Sequence, residues 1–199
     1  NGHVGIGKTC FIHALVEGIA SSHLKGIELD LALIMTPRNL FLQIMQAIWH
    51  LPIEFIQKMK RKDLDVVIEK AGEKPLDETI KDVVRLAFQR SAADYSDSAD
   101  VFNYYLIQYI KLIYEQIEKK KKFILCFTNL NYTSEDVLDF LLLFAQTMSG
   151  KVSMIFEIRT SLYIDGNMNA DKWNEYKTKF STLSAGVYEV ELKEPDCAE

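Results

Sequence analysis

The residues Gly2-His3-Val4-Gly5-Ile6-Gly7-Lys8-Thr9 follow the spacing G-x-x-x-x-G-K-T, which suits a phosphate-binding loop. Glycine at 2, 5 and 7 lets the backbone take positive φ and approach a polyphosphate closely. The N–H groups around Gly5 to Thr9 then point inward at a β-phosphate, reinforced by the N-terminus of the helix that follows. Lys8 is the compact cation for the β- and γ-phosphates, and the Thr9 hydroxyl takes a place on Mg²⁺. The expected contact run is therefore Gly2, His3, Val4, Gly5, Ile6, Gly7, Lys8, Thr9 and Cys10, with Lys8 also catalytic and Thr9 the metal ligand. His3 and His13 read as loop and helix-surface residues rather than ligands.

Such a loop must be launched from a buried strand and must open a helix. The helix is legible over 9–20, where Cys10, Phe11, Ala14, Leu15 and Ile19 recur at helical spacing without proline. No strand precedes the loop, so the chain is expected to be one nucleotide-binding domain over 1–199, cut from a longer protein at both ends. Ile27 to Met35 reads as a strand buried on both faces, as in a parallel sheet. Further strands are expected at Phe123–Phe127, Val152–Ile158 and Val187–Leu192, giving centres near Leu31, Leu125, Ile155 and Val190. Helices are expected over Leu40–His50, Ile53–Lys62, Asp63–Lys70, Asp77–Arg90 and Val101–Glu118, and from about Thr133 to Met148. Asp165–Phe180 is polar and reads as a loop with a short helix.

Composition narrows the class. The 199 residues are 48% hydrophobic and 26% charged, which excludes a disordered tail and allows a sizeable core. A net charge of −5 gives no global field for DNA or acidic lipid. The run Lys119–Lys122 reads as a solvated helix end, with a nucleic-acid contact as the alternative. Cys10, Cys126 and Cys197 are too widely spaced for a metal pattern or disulfide framework, so a reducing, cytoplasmic setting is the default. No apolar stretch reaches about 18 residues, so no membrane partner is expected.

Phosphate loop and helix, strand, helical stretch, strand, helix, strand, strand: this order resembles the nucleotide-binding core of the AAA+ and STAND ATPases. Thr36-Pro37-Arg38-Asn39-Leu40 is similar to the second strand and helix of origin-initiator-like members. The resemblance implies an α/β, three-layer P-loop NTPase sandwich with a mostly parallel sheet. It also implies that Arg159, after the third strand, is the sensor 1 residue at the γ-phosphate.

One departure bears on activity. Where the resemblance places Walker B carboxylates, after Phe123–Phe127, this chain has Thr128 and Asn129. Neither is a base at neutral pH, so nucleotide binding is expected to outlast hydrolysis. The nearest carboxylates in sequence are Glu135, Asp136 and Glu157. Asn129-Leu130-Asn131-Tyr132 lacks the Lys and Asp of a guanine-binding Asn-Lys-x-Asp, which favours ATP (or ADP) over GTP. The implied function is a STAND-type switch, in which ATP and Mg²⁺ promote homo-oligomerisation through this domain and release a fused effector. Sensor domains would lie outside the chain. Proteins of this kind act in antiviral defence, transcription control and cell-death signalling. The alternatives are an AAA+ ATPase remodelling DNA or protein, and a degenerate nucleotide-holding scaffold with little turnover.

Overall fold

A computed structural model of the protein describes residues 8–19, 24–70, 75–89, 99–117, 122–157 and 170–183. Three strands, β1 (Leu24–Asp30), β2 (Lys122–Thr128) and β3 (Ser153–Phe156), form one sheet in the order β1-β2-β3. Both pairs are parallel, with Leu24 opposite Lys122, Asp30 opposite Thr128 and Phe127 opposite Phe156. Parallel neighbours need crossovers, and helices supply them. The helices are α1 (Lys8–Ile19), α2 (Pro37–Trp49), α3 (Ile53–Gln57), α4 (Arg61–Glu69), α5 (Glu78–Phe88), α6 (Ala99–Ile117), α7 (Glu135–Thr147) and α8 (Ala170–Leu183). The chain is thus α/β, with helices on both faces of its sheet.

Strand alternation assigns the faces. Ile27 and Leu29 of β1, with Phe123, Leu125 and Phe127 of β2, are buried toward α2, α6 and α7. Phe156 stacks on Phe127 at 5.1 Å and meets Phe180 of α8 at 5.3 Å, so α8 covers the β3 end of the same face. Gly26 and Glu28 point the other way, to α1. A Cβ added at Gly26 would lie 2.9 Å from Val16 Cγ1 and 3.1 Å from the Val16 Cα. Because the second of these is backbone, Gly26→Ala is expected to shift α1 outward by a few tenths of an ångström and destabilise by about 1–3 kcal/mol. A chemical-denaturation midpoint unchanged by the substitution would refute that packing.

Away from the sheet, α2 to α6 form a helical block with its own aromatic centre. Phe41, Trp49, Phe88 and Tyr109 meet at ring separations of 5.5–6.3 Å, and the Tyr109 hydroxyl donates to the Ile68 carbonyl at 3.2 Å. Arg38 donates to the Ala87 and Gln89 carbonyls at 2.7 and 2.6 Å, closing the end of α5. Between α4 and α5, Lys81 pairs with Glu69 and Arg85 with Asp65. Local signals set the helix ends. Thr36 Oγ1 accepts from Asn39 N ahead of Pro37 in the first turn of α2, and Ser134 caps α7 at Val137 N.

Three expectations change. The strand expected over Ile27–Met35 runs instead from Leu24 to Asp30, so its centre lies near Ile27 rather than Leu31. Asp30 Oδ1 accepts from Ala32 N at 3.0 Å, and this cap turns Leu31–Leu33 into a short 3-10 segment. Its apolar side chains then split: Leu31 and Ile34 are buried, while Leu33 and Met35 are exposed. Lys122, expected to end a helix, opens β2, and α6 stops at Ile117. The polar stretch before Phe180 carries a full helix, α8, because Trp173, Tyr176 and Phe180 share one face. The strand expected at Val187–Leu192 lies outside the described residues.

Candidate functional site

The direction of α1 relative to β1 locates the candidate site. His13 Nδ1 lies 3.0 Å from Glu28 Oε2, and Val16 lies against Gly26. As α1 advances, its contacts move back along β1, so helix and strand are antiparallel. The first turn of α1, with Lys8 and Thr9, is therefore directed to the end of the sheet where the strands finish. That is also the end at which open α/β sheets bind ligands, in the crevice beyond the carboxyl ends of their strands.

The strands finish in polar residues. Asp30 ends β1 and stands opposite Thr128, the last residue of β2. Glu157 follows Phe156, whose partner is Phe127, so it stands level with Thr128 on the third strand. Its N–H donates to the Phe127 carbonyl at 2.8 Å, and its own carbonyl accepts from Leu130 N at 3.4 Å. A row of Asp30, Thr128 and Glu157 thus crosses the edge of the sheet. Thr128 and Glu157 are buried, and Asp30 is half-buried.

Asn129 turns the chain at the end of this row. It holds a left-handed conformation with φ 57° and ψ 37°, which asparagine tolerates better than most residues. From there its Nδ2 donates to Asp30 Oδ1 at 2.8 Å, joining positions 99 residues apart in sequence. Both donors that Asp30 receives, Ala32 N and Asn129 Nδ2, use Oδ1, and no described residue donates to Oδ2. Behind the turn, Asn131 and Thr133 are buried, and Thr133 Oγ1 has no hydrogen-bond partner among the described residues.

Electrostatics around the α1 face agree with this layout. The hydrogen bond and charge of Glu28, with Glu17 adding charge, raise the pKa of His13 above its ordinary value. Burial, with the Glu28 charge, pushes the Cys126 thiol up to about 11, so it stays protonated at neutral pH.

The residues expected at the site divide as follows. Lys8 and Thr9 open α1, and Cys10 is exposed on it. Gly2, His3, Val4, Gly5, Ile6, Gly7 and Arg159 lie outside the described residues, as does Cys197. Of the three carboxylates nearest in sequence, only Glu157 stands in the strand-end row. Glu135 pairs with Lys172 of α8, and Asp136 is exposed beside it in the first turn of α7. Asp30 was not among the expected residues, since it fell inside the strand expected over Ile27–Met35. An acid preceding a run of small and apolar residues, able to cap the N–H two positions on, was the available signal.

Among the described residues there is no group of three or more His, Cys, Asp or Glu that could hold a metal, and no helix long and apolar enough to cross a membrane. No family model, curated protein or solved structure matches the chain.

Proposed function

We propose that the chain is the ATP-binding core of a STAND-type NTPase, working as a nucleotide-dependent switch. One observation carries this reading. The G-x-x-x-x-G-K-T run ends in Lys8 and Thr9, the first residues of α1, and α1 lies antiparallel to β1, so the helix that the motif opens starts at the carboxyl edge of a parallel sheet. A phosphate loop needs that arrangement. Its backbone N–H groups and the positive end of the helix must face a crevice beyond the strand ends.

The residues at this edge fit Mg²⁺. The ion prefers oxygen donors, keeps several waters, and takes few protein ligands beside the phosphates. Among the described side chains the edge offers hydroxyl and carboxylate oxygens at Thr128, Asp30 and Glu157, and the motif assigns the Thr9 hydroxyl to the same ion. When bound, Mg²⁺ neutralises charge on the β- and γ-phosphates. Around it Lys8 binds the triphosphate and Arg159 reads the γ-phosphate. The lack of an Asn-Lys-x-Asp run makes ATP, with ADP as product, the nucleotide. The proposed setting is the cytoplasm, with homo-oligomerisation through this domain and effector and sensor domains fused to it. An antiviral or other signalling role follows from the family resemblance alone.

A second reading, a nucleotide-holding scaffold with little turnover, is favoured by the uncharged end of β2. Assembly separates the two. Sedimentation of the full-length protein should show larger species with ATP than with ADP if the core is a switch, and no difference if it is a scaffold. In the Arg159→Ala variant the ATP–ADP difference should flatten. Equal weakening with both nucleotides would instead make Arg159 structural.

A further inference from the structure

We propose that Asp30 supplies the carboxylate facing the hydrated Mg²⁺ of a bound nucleotide, and that Asn129 holds it there from the end of β2. This rests on the nucleotide-binding reading above and names a residue that neither the motif nor the resemblance points to.

The case starts from charge. A triphosphate with Mg²⁺ needs an acceptor for the ion's waters at the strand ends, and β2 ends in two uncharged residues, Thr128 and Asn129. Two other residues of the edge carry carboxylates, Asp30 and Glu157. Glu157 is only 5% exposed, whereas Asp30 is half-buried.

Hydrogen bonding then orients the group. Oδ1 is occupied by Ala32 N at 3.0 Å and Asn129 Nδ2 at 2.8 Å, which fixes the plane of the carboxylate. Oδ2 receives no donor from the described residues, so one acceptor oxygen is left for water. Asn129 makes this contact from a left-handed backbone, a conformation that places its amide back toward β1. The arrangement moves the acid one strand over while keeping it tied to the end of β2. The Asp30–Thr128 register and the antiparallel run of α1 bring this carboxylate and the first turn of α1 to the same end of the sheet.

The test measures ATP affinity of the full-length protein by titration, with EDTA and with Mg²⁺. Asp30→Asn keeps an Oδ1 acceptor for both donors and removes the charge. Without metal it should bind ATP no more weakly than the unaltered protein, because a negative charge beside the phosphates is removed. The gain in affinity that Mg²⁺ brings should fall by about tenfold or more. Asn129→Ala frees the carboxylate and should give a smaller loss of the same metal-dependent kind. It also carries the comparison if Asp30→Asn melts early, because it leaves the Ala32 contact intact.

Two results overturn the proposal. One is a full Mg²⁺ gain retained in both variants, and the other is an equal loss with and without metal, which marks a structural role. Either result, with ATP binding still dependent on Lys8, removes this inference and leaves the nucleotide reading standing. Absence of Lys8-dependent ATP binding in the unaltered protein removes both.

Discussion

Phosphate release from bound ATP is expected to run about 10²–10⁴-fold below that of a core with a positioned general base. Thr128 is buried and Asn129 spends its amide on Asp30, so neither can take a proton from an attacking water. The structure also changes which substitution should restore activity. Asn129→Asp alone would set a carboxylate oxygen where Nδ2 now lies, 2.8 Å from Asp30 Oδ1. Two carboxylates at that range do not both stay ionised; they share a proton or swing apart. The single variant should therefore stay slow. Exchanging the pair, Asp30→Asn together with Asn129→Asp, keeps a hydrogen bond between the positions and moves the negative charge to the end of β2. That double variant should release phosphate faster than either single variant at saturating Mg²⁺–ATP. Brisk release by the unaltered protein would point to Glu157 as the base, and Glu157→Gln should then cost about 10²–10⁴-fold.

The second large effect is on binding. Lys8→Ala should weaken ATP binding by about 1.5–3 kcal/mol, roughly 10- to 150-fold, because it removes a cation hydrogen-bonded to the β- and γ-phosphates. Lys8 sits in the first turn of α1, where its charge opposes the positive end of the helix dipole. Alanine there should leave the ligand-free protein as stable as before or slightly more so. Lost affinity could then not be assigned to unfolding. Calorimetric titration with a parallel thermal melt checks both statements, and unchanged affinity would end the assignment of the loop.

The elements that the sequence made legible are those whose signals are local. Thr36-Pro37 begins α2 and Ser134 begins α7 because a side-chain oxygen and the next turn's N–H are neighbours in the chain. Phe123–Phe127 reads as a buried strand because no helix-length apolar pattern competes with it. The end of β1 was not legible. Leu31 to Met35 has the same apolar character whether it continues the strand or turns, and the cap from Asp30 to Ala32 decides. The site divides in the same way. Lys8 and Thr9 are readable from spacing within one loop, whereas the Asp30–Asn129 contact depends on the parallel register of two strands far apart in sequence. Nothing local encodes that register.

The separation of β1 from β2 also shapes how the protein is made. Leu24 must wait for Lys122 before their ladder can close, and α2 to α6 are synthesised in between. Parallel pairing across so long an interval carries a large closure entropy and is slow unless the intervening chain is already compact. The aromatic centre of Phe41, Trp49, Phe88 and Tyr109 can form earlier, because it lies wholly within that interval. On a ribosome, the helical block would therefore collapse first, with β1 held as an unpaired edge until β2 emerges. During that time β1 could pair with another nascent chain as readily as with its own β2. Lys25 near the start of that edge, which donates to the Ala47 carbonyl of α2 at 3.0 Å, gives the folding block a grip on the strand before its partner arrives.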